Sequence, residues 1–456
     1  MIEGLKPYAE YKESKVPWIG RVPSDWRVER TKWIFRSRKE LNVGRRNTNV
    51  LSLTLRGVVN NDPDSPEGMV PKDYATYQLF RKHDLVFKLI DLENICTSRV
   101  GLVHEDGIMS SAYVRLAPSK SANIRFFYFQ FFDLYTRAVF NALGAGVRST
   151  LGAADLGELR IAIPPPDEQA AIVRFLDHAN RKIDGFIRAK RKLIGLLNEQ
   201  KQAIIHRAVT RGLHPDVPLK PSGIPWLGDI PKHWETIRCG GLFREVVDVG
   251  HPKARLLSID RIKGIIPQDE TGRRTRASYD RGAYKRVKRG QLAYNLMNAF
   301  MGALGFSPYD GIVSPAYAVA QPLREIETRY FHYLLRTSSY TGEFNRLSYG
   351  IMYERNRLYF ERFKVVRALL PPLDEQKAIA DWIEANTGTL TAAIARTERE
   401  IALMQEYRTR LTSDLVTGKL DVREAAAKLP APPIAAAAES TADEPLEEIE
   451  PEEVET

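Results

Sequence analysis

The stretch "IPPPDEQAAIVRFLD", Ile163 to Asp177, returns as "LPPLDEQKAIADWIE", Leu370 to Glu384. Consecutive prolines followed by Asp-Glu-Gln and a periodic apolar run constrain this chain more than any other feature. The prolines hold the backbone extended and bar a helix ahead of them. An acidic first turn then favours a helix immediately after them. Asp167 and Asp374 are expected as N-caps, with Glu168 and Glu375 adding first-turn charge. The sequence therefore builds the same sharp strand-to-helix exit twice.

The duplication extends upstream. "VPWIGRVPSDW" (Val16 to Trp26) matches "IPWLGDIPKHW" (Ile224 to Trp234). Between the boxes, "SSAYV" at Ser110 aligns with "SPAYA" at Ser314, and "RFFYF" at Arg125 with "RYFHY" at Arg329. The repeating unit is a mixed globular region, a proline junction and a helix. The segment "LVTGKLDV" (Leu415 to Val422) resembles "AVTRGLHP" (Ala208 to Pro215), which leads into the second globular region. A circular arrangement follows, with the two chain ends near each other.

Steps of four and three from Ile172 run through Leu176, Ala179, Ile183, Phe186, Lys190, Leu193, Leu197, Gln200, Ile204 and Arg207, mostly apolar. The second copy offers Ile379, Ile383, Leu390, Ile394, Ile401, Met404, Leu411 and Leu415. Each helix spans roughly 60 Å at 1.5 Å per residue. Two matching seams in one chain point to an intramolecular antiparallel coiled coil. The globular halves read as mixed α/β. "HDLVFKLI" and "GQLAYNLM" are strands, and "NIRFFYFQFFDLYTRAVFNAL" and "ETRYFHYLLRTSSYTGEF" are helical. Trp18, Trp26, Trp226 and Trp234 anchor the entry segments to their cores. The expected domains are 1–164, first globular head; 165–212, central helix; 213–371, second globular head; 372–425, C-terminal helix; and 426–456, a disordered acidic tail.

Charge narrows the partner class. From Glu424 to Thr456 there are ten acids against one base, a net of −9 within a whole-chain +10, which leaves +19 on the body. Such a body favours a polyanion, and nucleic acid is the usual one. Cys96 and Cys239 match no metal or disulfide spacing, and the N-terminus lacks an apolar signal core. No apolar run is long enough for a bilayer, so a cytoplasmic protein without membrane attachment is expected. No phosphate-loop or Asn/Asp-Pro-Pro-Tyr/Phe motif is present. "GAGVRS" at Gly144 follows a helix rather than a strand and reads as a loop. The nuclease-like Pro166-Asp167 and Glu199-Gln200-Lys201 lie on one helix, about 48 Å apart, and share no metal ion. His83, His104 and His251 have no paired ligands. No catalytic and no metal residues are assigned.

Two globular regions, each ending in Pro-Pro-x-Asp-Glu-Gln and a long helix, with two Pro-Trp-x-Gly boxes, resemble the specificity (S) subunit of type I restriction-modification systems. The likeness runs from Gly4 to about Arg423; the acidic tail departs from it. The resemblance implies a non-catalytic subunit that reads a split, asymmetric target in double-stranded DNA. It implies two methyltransferase (M) and two restriction (R) subunits as partners. Adenine methylation and ATP-dependent cleavage would be theirs, with S-adenosylmethionine, ATP and Mg2+ on those partners and no cofactor in this chain. The alternative is a coiled-coil scaffold without sequence-specific DNA binding. Base readers should lie where shared framework flanks divergent polar residues. These are Arg56, Lys88, Asn94, Arg99 and Arg148 in the first half, and Lys263, Arg273, Arg274, Arg276, Asn295, Asn298 and Arg355 in the second. Asp167, Glu168, Gln169, Asp374, Glu375 and Gln376 are junction residues that stand as candidates for partner contact.

Overall fold

The structure is a computed structural model that describes residues 5–62, 73–93, 97–118, 122–144, 150–261, 263–271, 281–350 and 356–430. It divides into two compact units, Met1–Ala189 with Glu400–Thr456, and Lys190–Arg399. The tail beyond Pro430 lies outside the described residues.

In the first unit a four-stranded antiparallel sheet runs Phe35–Ser37, Val114–Pro118, Leu85–Phe87, Val100–Leu102. Alternation along Leu85–Phe87 explains why both faces are covered. Leu85 and Phe87 enter the main core with the aromatic helix Ile124–Thr136. Val86 points the other way, into a smaller core with Leu51, Leu53, Val58 and Phe80. That smaller core sits under a hairpin of Leu51–Thr54 and Gly57–Asn60.

The second unit repeats this order with Phe243–Glu245, Tyr317–Pro322, Leu292–Asn295 and Leu304–Phe306. Leu292 and Tyr294 face the main core and Ala293 the smaller one. The hairpin is Leu257–Asp260 with Gly264–Pro267. The strands expected from "HDLVFKLI" and "GQLAYNLM" are thus the central pair of equivalent sheets. The helical segments are each broken once. The first divides into Ile124–Thr136 and Val139–Leu143, because Ala138 turns left-handed at φ 56°. The second divides into Thr328–Leu334 and Ser338–Leu347, with extended Thr337 between them.

Each main core also takes the start of one long helix and the end of the other. Ile172, Phe175, Leu176 and Ala179 of the helix Pro166–Arg211 lie in the first core beside Leu411, Leu415 and Val416 of the helix Leu373–Val416. Ile379 and Ile383 lie in the second beside Ile205, Ala208 and Val209. Side chains join the antiparallel helices within each unit: Arg408 to Asp184 in the first, and Lys201 Nζ to Thr391 Oγ1 at 3.0 Å in the second.

The seam on the first helix departs from the expected path in its second half. Beyond Ile183 the buried positions include Ile187, Ile205 and Ala208; Phe186, Lys190, Leu197 and Ile204 of the expected path are half-buried, as are Ile194 and Lys201, while Leu193, Gln200 and Arg207 are exposed. The expected path assumed a repeat of 3.5 residues, whereas an ordinary helix turns every 3.6 or so and slips by about one residue over this length.

Lys6, ahead of the first head, and Asp421, after the second long helix, meet as the repeat implies. Asp421 N–H donates to Lys6 O at 2.8 Å in an isolated antiparallel bridge. The turn into this bridge needs Gly418, which is left-handed at φ 74° and packed against Pro23 Cγ and Trp26 Cη2, 2.8 and 3.2 Å from where a Cβ would stand. Gly223 has a similar φ of 70° but nothing near it. Gly223→Ala should therefore cost only backbone strain, about 1 kcal/mol, and Gly418→Ala at least twice that. Denaturant unfolding of the two variants checks the difference.

Candidate nucleic-acid interface

The junctions hold the heads to the helices. Both helices start two residues earlier than expected. Gln169 N–H donates to Pro165 O and Gln376 N–H to Pro372 O, each at 2.9 Å. Pro165 and Pro372 are therefore the caps, with Pro166 and Leu373 in the first helical position, where a missing N–H does no harm. Asp167 and Asp374 move to the second position and are exposed.

The next two side chains turn inward. Glu168 is 3% exposed and accepts from Trp26 Nε1 at 2.9 Å and from the Tyr8 hydroxyl. Burial and the carboxylate beside it push the Tyr8 phenol well up, so it stays a donor. Glu375 accepts from Trp234 Nε1 at 3.0 Å and contacts His233 Nε2 at 2.7 Å. Gln169 donates to Pro164 O at 2.9 Å and accepts from Asn123 N–H at 3.4 Å. Gln376 donates to Pro371 O at 2.8 Å and accepts from Glu327 N–H at 3.0 Å. The two boxes noticed separately in the sequence are thus bonded partners. Four of the six junction residues are engaged within the chain, and Asp167 and Asp374 are the two that face outward.

The same plan anchors the surroundings. Trp26 packs edge-on to Phe126, and Trp234 to Tyr330. Arg125 holds Asp177 by two bonds of 2.7 Å, and Arg329 reaches Asp381 and Glu384 at 2.9 and 3.0 Å. Trp18 Nε1 donates to Arg160 O at 3.1 Å, and Trp226 lies edge-on to Tyr340.

Two of the base-reading candidates occupy equivalent places. Arg56 sits in the exposed turn between Leu51–Thr54 and Gly57–Asn60. Lys263 sits in the exposed turn between Leu257–Asp260 and Gly264–Pro267, its N–H on Asp260 Oδ1 at 2.7 Å. Arg36 and Arg244 form a second equivalent pair, exposed on matching outer strands of the four-stranded sheets. Sequence reasoning missed them, although the aligned "FRS" and "FRE" could have drawn attention.

Against this geometry, the comparisons are consistent. A family model described as the type I restriction modification DNA specificity domain matches residues 58–193. Residues 58–193 carry a type I DNA specificity domain. The specificity subunit of the type I restriction enzyme MjaVIII from Methanocaldococcus jannaschii is 23% identical over 58% of this chain and 63% of its own length. A second sequence from that organism, named for the MjaX specificity subunit, is 23% identical over 60% of this chain and again 63% of its own length. The match therefore spans less than two thirds of either relative. A chain from a structure titled for complex assembly and conformational transition of the type I R-M system shares the fold, with TM-score 0.58, 14% identity, and coverage of 88% of this chain and 99% of that one. The likeness to specificity subunits that the duplicated boxes carry is thereby shown.

Within this specificity-domain fold the other candidates fall differently. Arg99 is 1% exposed and donates to Ile90 O at 3.3 Å and Asp91 O at 2.6 Å. It braces a segment whose Asp91 is left-handed at φ 53°. Asn295 is buried, with its Oδ1 accepting from Met297 N–H at 2.9 Å. The free chain presents neither side chain to solvent. Lys88 and Asn298 are half-buried. Asn94, Arg148, Arg273, Arg274, Arg276 and Arg355 lie outside the described residues, as do Cys96 and most of "GAGVRS". Among the described residues no group of three His, Cys, Asp or Glu is placed to hold a metal ion, and no helix is long and apolar enough to cross a membrane.

Two outcomes follow. Trp26→Phe keeps an aromatic ring there but strips a donor from the buried Glu168, so it should destabilise the first unit by about 1–3 kcal/mol in denaturant unfolding. His332 packs against Gly264 and Gly305, and burial, then Arg336, lowers its pKa to about 4. Its folded form is neutral while the unfolded chain binds a proton below pH 6.5. Stability should fall as pH drops from 6.5 toward 4, by at most about 1.4 kcal/mol per pH unit. His332→Gln should flatten that part of the stability–pH curve; an unchanged slope would remove His332 as its source.

Proposed function

We propose that this chain is the address subunit of a type I restriction-modification complex. It binds double-stranded DNA at a bipartite, asymmetric target, one half-site for each head. It performs no chemistry itself. Two methyltransferase subunits carrying S-adenosylmethionine would methylate an adenine in each half, and two restriction subunits using ATP and Mg2+ would cleave.

One observation carries this reading: two heads of the same strand order, each locked by a tryptophan–glutamate bond to the start of a long helix. Equal frames with different surfaces suit two unequal half-sites. A helix pair of fixed length suits a fixed spacer, as dimer geometry sets half-site spacing in other DNA-binding proteins. The basic body suits phosphate contacts, and the hairpin turns holding Arg56 and Lys263 suit contact with DNA in their respective heads. Asp167 and Asp374, outward-facing at the helix starts, are the junction positions best placed for a methyltransferase subunit.

DNA affinity of the chain with its methyltransferase partner should fall steeply with salt. The double variant Arg56→Ala, Lys263→Ala should weaken binding and lower the slope of log K against log salt by about 1–2, roughly 0.9 per lost phosphate contact. A complex that assembles normally but binds DNA without a salt slope would favour the scaffold reading instead.

A further inference from the structure

The first unit contains a cavity of about 180 Å3 between the aromatic helix and the two long helices, lined by Tyr128, Phe129, Phe132, Asp133, Asn180 and Arg408, with threonines at its edge. Three polar atoms on these lining residues are buried without a hydrogen-bond partner: Asp133 Oδ1, Asn180 Oδ1 and Arg408 Nε. Buried polar atoms are nearly always paired, so each such atom asks for an explanation. Asp133 is 2% exposed. Its other oxygen is taken by Arg137 at 2.5 and 2.9 Å, and Arg408 otherwise reaches Asp184. The edge threonines are already committed to backbone: Thr136 to Asp133 O, Thr409 to Gln405 O and Thr412 to Arg408 O.

The repeat supplies an internal control. Asp133, Asn180 and Arg408 correspond to Thr337, Thr387 and Lys201 in the second unit. There each counterpart is satisfied. Thr337 Oγ1 donates to Leu334 O at 2.9 Å, Thr387 Oγ1 to Ile383 O at 2.8 Å, and Lys201 Nζ to Thr391 Oγ1 at 3.0 Å. The framework is therefore sound without these unpaired groups, and only the first unit carries them.

The unpaired set is two acceptors and one donor, beside three aromatic rings. The Asp133–Arg137 and Asp184–Arg408 pairs leave no net charge to match. We propose that this cavity binds a small neutral planar ligand whose edge carries an amino group next to a hydrogen-bond acceptor. With a small rotation of these side chains toward the cavity, the amino hydrogens would meet Asp133 Oδ1 and Asn180 Oδ1, and the acceptor would meet Arg408 Nε–H. Carboxamides and amino-substituted nucleobases both carry this edge. A cavity of roughly 150 Å3 holds benzene, so one substituted ring fits.

Calorimetric titration of the full chain with nicotinamide, nicotinate, adenine and hypoxanthine tests this. Nicotinamide or adenine should bind, and its partner without the amino group should bind at least tenfold more weakly. Nicotinamide alone would mark an amide site, and adenine alone a nucleobase site. Asn180→Ala should weaken binding at least fivefold, and Asn180→Leu should abolish it, both with an unchanged melting temperature. Failure of all four probes at about 10 mM, equal binding within each pair, or full affinity in both Asn180 variants would overturn the proposal and leave the cavity to water.

Discussion

The bond between a tryptophan indole and the glutamate of the proline junction is the constraint on which each head depends. A buried carboxylate is costly to leave unpaired. Glu168 escapes that cost only when Trp26 and Tyr8 are folded over it, and Glu375, half-buried, takes the equivalent bonds from Trp234 and His233. The entry segment, the strand before the prolines and the first helical turn must therefore be correct together. Arg27–Arg30 pairs with Arg160–Ile163, and Glu235–Arg238 with Arg367–Leu370, so the strand feeding each junction is itself held by the entry segment. Direction into the helix is fixed by hydrogen bonds, not by the prolines alone.

The last turns of the helices close the arrangement. Gly418 sits on Trp26, and Gly212 sits near Trp234 and Glu375. Each tryptophan thus touches the start of one helix and the turn that follows the other. The second unit reaches this state through a continuous chain, and the first through the Lys6–Asp421 bridge between distant segments. Circular repetition in the sequence becomes equivalent packing in the two cores.

Much of this was legible from the residues. The duplicated boxes, the central strands and the two long helices were readable because period-two and helical patterns are local. The Trp26–Glu168 bond was not, since it joins residues 142 positions apart and both boxes had separate local explanations. The shift of the helical seam after Ile183 came from assuming 3.5 residues per turn. The break at Ala138 is a single left-handed residue that carries no composition signal. Of the DNA-facing candidates, Arg56 and Lys263 occupy matching turns, but Arg99 and Asn295 point inward. A basic or amide side chain in a divergent stretch does not reveal which way it faces. The unpaired groups around Asp133 were equally hidden, because they depend on three helices meeting.

On the proposed function, two separately locked heads each contribute one half of a split address. Mapping methylated adenines in a host expressing this chain with its partner subunits tests it most directly, before and after exchange of residues 1–164 for the matching region of a relative. The predicted result is a two-part motif in which the exchange alters one half and leaves the other half and the spacer unchanged. A continuous motif, or an exchange that alters both halves, would show that the heads do not read separate half-sites.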